Sequence, residues 1–324
     1  MPEKDLVEEI TPIENAYIFE KVNSSHYPLL QELFLDVFNL NYSIADIERR
    51  FNTNELGLET IGFIAISRGK PEAAAYYGVF PLKCQIGNEI ILAAQSGDTM
   101  THSHHRKKGL FSRLAIMTYD ECKKKGIRLI YGFPNDNSYH GSIKVGWNHT
   151  DDVVRYDLKL KIKTFPLPKI ALGYRLLRRI YLRYARFLLS SKLEFPIPGF
   201  FSSISNQPGR VYRDSTYIKY KYADDKFFLR FGNVVVWLKV SDTLSIGDFE
   251  NTDLVNYQVL KKIKKIAFFL GHNTIAFTIS KGAPKPSFLN HFKEHKRTPT
   301  LMLYLDSKLE GTDISFTAAD FDTW

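Results

Sequence analysis

A chain of 324 residues predicts one large or two medium domains, and 44% apolar with 14% aromatic residues suits a packed globular protein rather than disorder. No apolar run approaches the roughly 20 residues a membrane span needs. The formal charge of +9 favours anionic partners such as coenzyme phosphates, nucleic acid or a membrane surface, without choosing among them. The first nine residues are acidic and lack the basic-then-apolar order of a secretory signal. Cys84 and Cys122 are too few and too far apart for a disulfide framework. A reducing cytosol is the expected compartment, and buried packing the expected role of both thiols.

Residues 17–22 alternate as an opening strand. Residues 26–38 place Leu29, Leu30, Leu33, Phe34, Val37 and Phe38 at helical spacing, so one face is expected in the core. Ser43 is the expected N-cap of a second short helix over 44–51. Strands over 60–67 and 72–85 follow, joined by the hairpin turn Arg68-Gly69-Lys70-Pro71. Next come a strand over 89–100, a helix over 107–125, a strand over 128–133 and a short helix over 138–145. A further strand begins at Trp147 and runs over 152–162.

The joint between strand 89–100 and its helix reads His104-His105-Arg106-Lys107-Lys108-Gly109-Leu110. A helix start leaves backbone N–H groups without partners and carries the positive end of the peptide dipoles. A glycine lets an anion approach that backbone closely, and Arg106, Lys107 and Lys108 add cationic attraction. The joint therefore reads as a seat for a pyrophosphate. His102, His104 and His105 lack the i, i+4 spacing of zinc pairs and no cysteine completes a set. They are expected as loop histidines near phosphate, with no metal.

The run Arg106-Lys107-Lys108-Gly109-Leu110-Phe111 resembles the (Arg/Gln)-x-x-Gly-x-(Gly/Ala) signature of the GNAT superfamily of N-acyltransferases. It matches the first and fourth positions and places Phe111 where a small residue stands. Asn135, Ser138 and Gly146-Trp147 match a second family pattern, with Ser142 at its aromatic position. The resemblance implies an α/β (α+β) fold, a mixed, mostly antiparallel twisted sheet flanked by helices, with acetyl-CoA as co-substrate. Arg106, Lys107, Lys108, Gly109, Leu110 and Phe111 would then surround the diphosphate. Backbone amides of Met100 and Thr101 would hold the thioester carbonyl, and Asn135 would either bond the pantetheine arm or cap the following helix. The chemistry needs a polarised carbonyl, a neutral amine and a protonated thiolate. Asp98, on the strand just before, is the candidate base, directly or through a water; the alternative is a turn cap or a pair with Arg106. The family's acid is a tyrosine where Ser142 stands, and Tyr139, three residues earlier, shares roughly the same helical face.

Thr164-Phe165-Pro166-Leu167-Pro168 ends the first domain. Residues 169–189 form a basic amphipathic helix with Arg175, Arg179, Arg183 and Arg186 on one stripe. Such a helix can lie on an anionic membrane or pack between domains with its arginines in water; packing is favoured. Residues 196–209 read as a loop. Strands over 226–231 and 234–240 are joined by Gly232-Asn233. A strand over 244–249, a helix over 253–270 stopped by Gly271-His272-Asn273, and strands over 273–280, 300–305 and 314–317 complete the chain.

That order resembles a second, degenerate GNAT-like lobe. Its joint Gly247-Asp248-Phe249-Glu250-Asn251 is acidic and is not expected to hold a pyrophosphate. The expected domains are 1–163, binding acyl-CoA; 164–210, a linker; and 211–324, structural or substrate-shaping. Tandem lobes resemble the enhanced-intracellular-survival acetyltransferases, in which the C-terminal carboxylate acts as base; here that residue is Trp324. The implied activity is N-acetylation of a primary amine. Gly-Phe-Pro-Asn (132–135) and Lys-Val-Gly-Trp (144–147) resemble elements of relatives in surface-polysaccharide pathways, so an amino sugar is a candidate acceptor. One alternative is a FemABX-like aminoacyl-tRNA-dependent transferase, which the basic glycine turn argues against. Another is a non-catalytic acyl-CoA-binding or membrane-docked protein, which Ser142 favours. Nucleic acid is not an expected partner.

Overall fold

The computed structural model describes residues 10–56, 58–195, 207–250 and 254–321. They divide into two compact units: Met1–Lys83, Ile91–His149 and Leu301–Gly311 form the first, and Cys84–Ile90, Thr150–Thr300 and Thr312–Trp324 the second. The second unit thus takes in Cys84–Ile90, and Leu301–Gly311 belongs to the first.

The first unit opens with helix α1 (Ile10–Ala16) and strand β1 (Tyr17–Lys21), then helices α2 (Tyr27–Phe38) and α3 (Ile44–Phe51). Ser43 caps α3 as expected: its side chain accepts from the Asp46 amide while the Asp46 carboxylate accepts from the Ser43 amide. Strands β2 (Ile61–Ser67), β3 (Ala73–Ile86) and β4 (Glu89–Thr101) lead into α4 (Leu110–Lys124), β5 (Leu129–Gly132) and α5 (Asp136–Lys144). In space the strands run β1-β2-β3-β4-β5, and β5 is flanked on its far side by the Leu301–Tyr304 end of a late strand. β1–β2 and β2–β3 pair antiparallel, whereas β4–β5 is parallel because α4 carries the chain back across the sheet. One face of this sheet packs on α4 through Leu110, Leu114, Ala115, Tyr119 and Cys122. The other packs on α2 and α3 through Leu30, Leu33, Phe34, Ile47 and Phe51.

The second unit holds β6 (Asn148–Lys159), which starts in the first, then α6 (Leu167–Ala171) and α7 (Arg175–Leu189). β7 (Leu193–Glu194), β8 (Gly209–Val211), α8 (Ser215–Lys221), β9 (Lys226–Phe231), β10 (Val234–Val240) and β11 (Leu244–Glu250) follow. The unit closes with α9 (Tyr257–Phe269), β12 (Thr274–Ser280) and β13 (Lys293–Tyr304), whose last residues serve the first unit. The strand order is β6-β12-β11-β10-β9-β7, with β11–β12 parallel and the other pairs antiparallel. An antiparallel run followed by strand, helix and parallel strand therefore occurs in both units, as β4-α4-β5 and as β11-α9-β12.

Several boundaries differ from expectation for local reasons. The predicted helix 169–189 is two helices, broken where Tyr174 turns extended after Gly173, a poor helix former. α9 starts at Tyr257 because the Asn256 side chain accepts from the amides of Gln258 and Val259 and so caps it there. The predicted strand 300–305 extends back to Lys293 through a charged, exposed half that carries no apolar alternation. Residues 314–317 make isolated bridges, Ser315 to Arg210 and Thr317 to Ile279, and not a strand. The predicted loop 196–209 lies mostly outside the described residues, as does Asn251.

In the second unit, Arg213 is buried between β11 and the C-terminal turn. Its guanidinium donates to both Asp320 oxygens (2.9 and 2.7 Å), to Asp248 (2.6 Å) and to Thr317 (2.8 Å). The acidic residue of the second strand-to-helix joint, Asp248, thus belongs to an internal ion network.

Candidate active site

The β4–β5 ladder registers Ala93 with Leu129, Ala94 with Ile130 and Gln95 with Tyr131, and it ends there while β4 continues to Thr101. Up to that point β4 alternates regularly: Ala94 faces α4, and Ser96 reaches the same side through Tyr77. Met100 should share that side, yet it is packed in the α2–α3 cluster. The alternation changes phase at Asp98, whose φ is +55°. A left-handed non-glycine residue inside a strand marks a bulge, which takes the local backbone out of the regular ladder. The expected carbonyl-holding pair, Met100 and Thr101, lies just beyond it.

The Asp98 carboxylate is not directed at Arg106. Both of its oxygens accept from Arg50 of α3, one from Nε and the other from Nη2 at 2.7 Å. The Arg50 guanidinium in turn lies over the Phe80 ring, 5.4 Å from its centroid. Of the alternatives open to Asp98, a pair with Arg106 is therefore replaced by a bidentate pair with Arg50. Gln95 is buried on the α2–α3 side of the last ladder pair, and its Nε2 has no hydrogen-bond partner among the described residues. An orphaned amide donor at the end of a ladder fits a ligand carbonyl.

After β4 the chain is clamped, then bare. Ser103 donates its amide and hydroxyl to Asp36 of α2 (2.9 and 3.0 Å). Burial pushes the Asp36 carboxyl up, but those bonds and the charges of His102 and Arg106 outweigh it and hold it below its ordinary value. His105 is buried, with Nδ1 against the Tyr17 hydroxyl (2.8 Å) and Nε2 against Glu72 (3.1 Å). His105 is thereby tied to Tyr17 of β1 and to Glu72 beside β3, and among the described residues no group of three or more His, Cys, Asp and Glu side chains could hold a metal ion.

Hydrogen bonds from Lys70 first, and from His105, bring the Glu72 carboxyl down to about 2. A depressed carboxyl stabilises the fold above its unfolded value and loses that effect as pH falls through the folded one. The stability difference between the protein and Glu72→Gln is therefore expected to be full at about pH 6 and to shrink between about pH 4.5 and pH 2, measured by urea unfolding at several pH values.

Arg106, Lys107, Lys108 and Gly109 are all exposed. Lys107 (φ +61°) and Gly109 (φ +75°) are left-handed, so the helix begins at Leu110 and not at 107 as expected. No side chain caps α4, which leaves the amides of Leu110, Phe111 and their neighbour facing the basic turn without a side-chain acceptor. Phe111 occupies the small-residue position of the signature because the facing helix yields: its ring packs where a Cβ on Gly141 of α5 would stand, at 3.2 Å, and edge-on to Tyr77. Asn135 caps α5, its side chain accepting from the amides of Asn137 (3.0 Å) and Ser138 (3.1 Å). Ser142 is buried, and Tyr139 is hydrogen-bonded to His149 Nδ1 at 3.2 Å. Trp324 lies outside the described residues.

Sequence reasoning missed a hydroxyl chain under this site. Trp147 Nε1 donates to Tyr119 (2.6 Å), Tyr119 and Tyr77 share a bond of 2.9 Å, and Ser96 reaches Tyr77 at 3.4 Å. Burial pushes the Tyr77 phenol up to about 12 and the Tyr119 phenol higher still, so both remain protonated donors. Both tyrosines lie in the core between the sheet and α4, and their pairing across 42 residues left no local sign in the sequence. Tyr119→Phe keeps the ring but leaves the buried Trp147 N–H without its acceptor. It is expected to cost about 1–3 kcal/mol in urea unfolding, with Tyr77→Phe milder because Trp147 keeps its partner. Cys84 and Cys122 are buried free thiols, as expected, with Cys122 pushed up to about 12 by burial.

Residues 19–150 match the family described as the acetyltransferase (GNAT) domain. Among solved structures, a GCN5-related N-acetyltransferase from Kribbella flavida is similar at 12% identity, covering 91% of this chain and 73% of that one with a TM-score of 0.56. Eis1 from Mycobacterium abscessus is similar at 10% identity over 89% of this chain and 73% of that one, TM-score 0.51. A glucosamine N-acetyltransferase region of a fungal multi-domain β-N-acetylglucosaminidase is similar at 10% identity, covering 89% of this chain and 38% of that one, TM-score 0.52. At these identities the likeness is one of fold. No curated protein matches the sequence.

Proposed function

Through residues 19–150 the chain belongs to the GNAT acetyltransferase superfamily, and from that premise we propose that it transfers an acetyl group from acetyl-CoA directly to a primary amine. The observation that carries this reading is the uncapped start of α4 behind left-handed Gly109, flanked by three exposed cations and following the strand whose ladder stops at Gln95. Amides of a helix start and a basic turn suit a diphosphate. The bulged end of β4, with the Met100 and Thr101 amides and the Gln95 side chain, suits the thioester and its pantetheine arm.

In this reading the neutral amine attacks the thioester carbonyl, forming the C–N bond, and the C–S bond breaks to release the thiolate of CoA. The β4 amides stabilise charge on the carbonyl oxygen, where preorganised donors act most strongly. Tyr139, oriented by His149, is the donor for the thiolate. The Asp98–Arg50 pair fixes the bulge; the acceptor's ammonium loses one proton to solvent before attack, and the nitrogen, made cationic by forming the C–N bond, loses a second to solvent or to a group on the acceptor side as the C–S bond breaks. An amino sugar is the acceptor class we favour, in line with the glucosamine-acetylating neighbour. The reaction is proposed for the cytoplasm.

The test is release of free thiol from acetyl-CoA in the presence of a panel of primary amines that includes glucosamine. Amine-dependent thiol release supports transfer. Binding of CoA without release on any amine would reduce the protein to a binding module, and activity only with a charged tRNA would move it to the aminoacyl-transfer class.

A further inference from the structure

Helix α7 is apolar on two opposite faces. Tyr181, Leu182, Ala185 and Leu189 are buried in the core of the second unit. At about 100° per residue, Leu176, Ile180 and Phe187 project from the opposite side, and they are 69%, 55% and 79% exposed. The arginine stripe expected from the sequence, Arg175, Arg179, Arg183 and Arg186, is exposed along one border of that ridge. From Leu160 to Leu193 the chain carries nine lysines and arginines and no acidic residue. A surface helix ordinarily turns its polar side outward, so an outward apolar ridge calls for a covering phase.

We propose that α7 docks the protein on an anionic bilayer, lying in the headgroup region with Leu176, Ile180 and Phe187 inserted and the arginines on lipid phosphates. Charge chooses the occupant. The border of the ridge is cationic without an interspersed acid, which complements a phosphate surface, whereas a second copy of the chain would bring the same cations to the contact. The helix lies on the surface and does not cross it: no helix among the described residues is long and apolar enough to span a membrane. The inner face packs in the core of the second unit, and the outer face is the surface that the membrane alternative concerns. This inference is independent of the acetyl-transfer reading, since it concerns a surface of the second unit only.

The experiment is co-sedimentation of the full chain with phosphatidylcholine vesicles and with vesicles mixed from phosphatidylcholine and phosphatidylglycerol. The expected result is partition at least about ten-fold stronger onto the anionic vesicles, weakening as salt rises. Phe187→Glu with Ile180→Glu should lower that partition at least about ten-fold while leaving the thermal melt unchanged, because both side chains face outward. Arg179→Gln with Arg183→Gln should reduce the salt dependence. Absence of partition onto anionic vesicles, or equal partition onto both kinds, overturns the proposal. So does a concentration-dependent dimer in sedimentation velocity that Phe187→Glu dissolves, which would seat a second copy on the ridge.

Discussion

Arg213→Met is expected to destabilise the protein by about 3–5 kcal/mol, read as a lowered midpoint in urea unfolding. The guanidinium satisfies two carboxylates that are themselves fully buried, Asp248 and Asp320, and Thr317 as well. Removing it leaves two like charges in the interior with fewer donors. Asp320 keeps the Thr317 amide (2.9 Å), and Asp248 keeps the Phe249 amide (2.8 Å) and the Thr317 hydroxyl (3.1 Å). These neutral donors do not replace a charge. Arg213→Lys retains the charge but loses the fork that reaches three partners at once, so an intermediate loss is expected. A loss below about 1 kcal/mol for the methionine variant would show that water or rearrangement compensates the carboxylates.

Gly109→Val is expected to abolish the rise in melting temperature that the proposed binding of acetyl-CoA would confer. A ligand present at about 100 times its dissociation constant stabilises the native state by about 2.7 kcal/mol, so the lost signal is large. Two effects of the substitution must be kept apart. A β-branched residue at φ +75° is strained, and its Cβ would stand 3.3 Å from Ile13 Cδ1 of α1, so the variant melts lower without ligand. The decisive quantity is the ligand-induced shift measured against each protein's own baseline. An unchanged shift would place the coenzyme away from the start of α4. Replacing Arg106, Lys107 and Lys108 together with glutamine leaves the turn geometry alone and should shrink the shift and its salt dependence.

Much of the first unit was legible because its determinants are made among near neighbours. The Ser43 capping box spans three residues, the hairpin at residues 68–71 four, and Gly109 declares its turn through a backbone conformation that glycine tolerates best. The start of α4 was misplaced by three residues for a related reason: Lys107 is left-handed although its side chain gives no sign of it. Asp98 shows where local reasoning ends. Its place on the strand could be read, but its partner Arg50 lies 48 residues earlier on a different element, and nothing in either neighbourhood points to the other.

Hydrophobic period made the class of fold legible, and the glycine-centred basic turn carried the resemblance to the acetyltransferase (GNAT) domain family that residues 19–150 match, because both depend on spacing and on backbone freedom at single residues. Tertiary structure alone decided which groups meet across the chain: Arg50 with Asp98, Arg213 with an aspartate 107 residues later, Trp147 with the phenol of Tyr119. It also decided which apolar face of α7 is buried and which is left to the solvent. Period tells that a helix has an apolar face; only the packing of the other elements tells which face they cover.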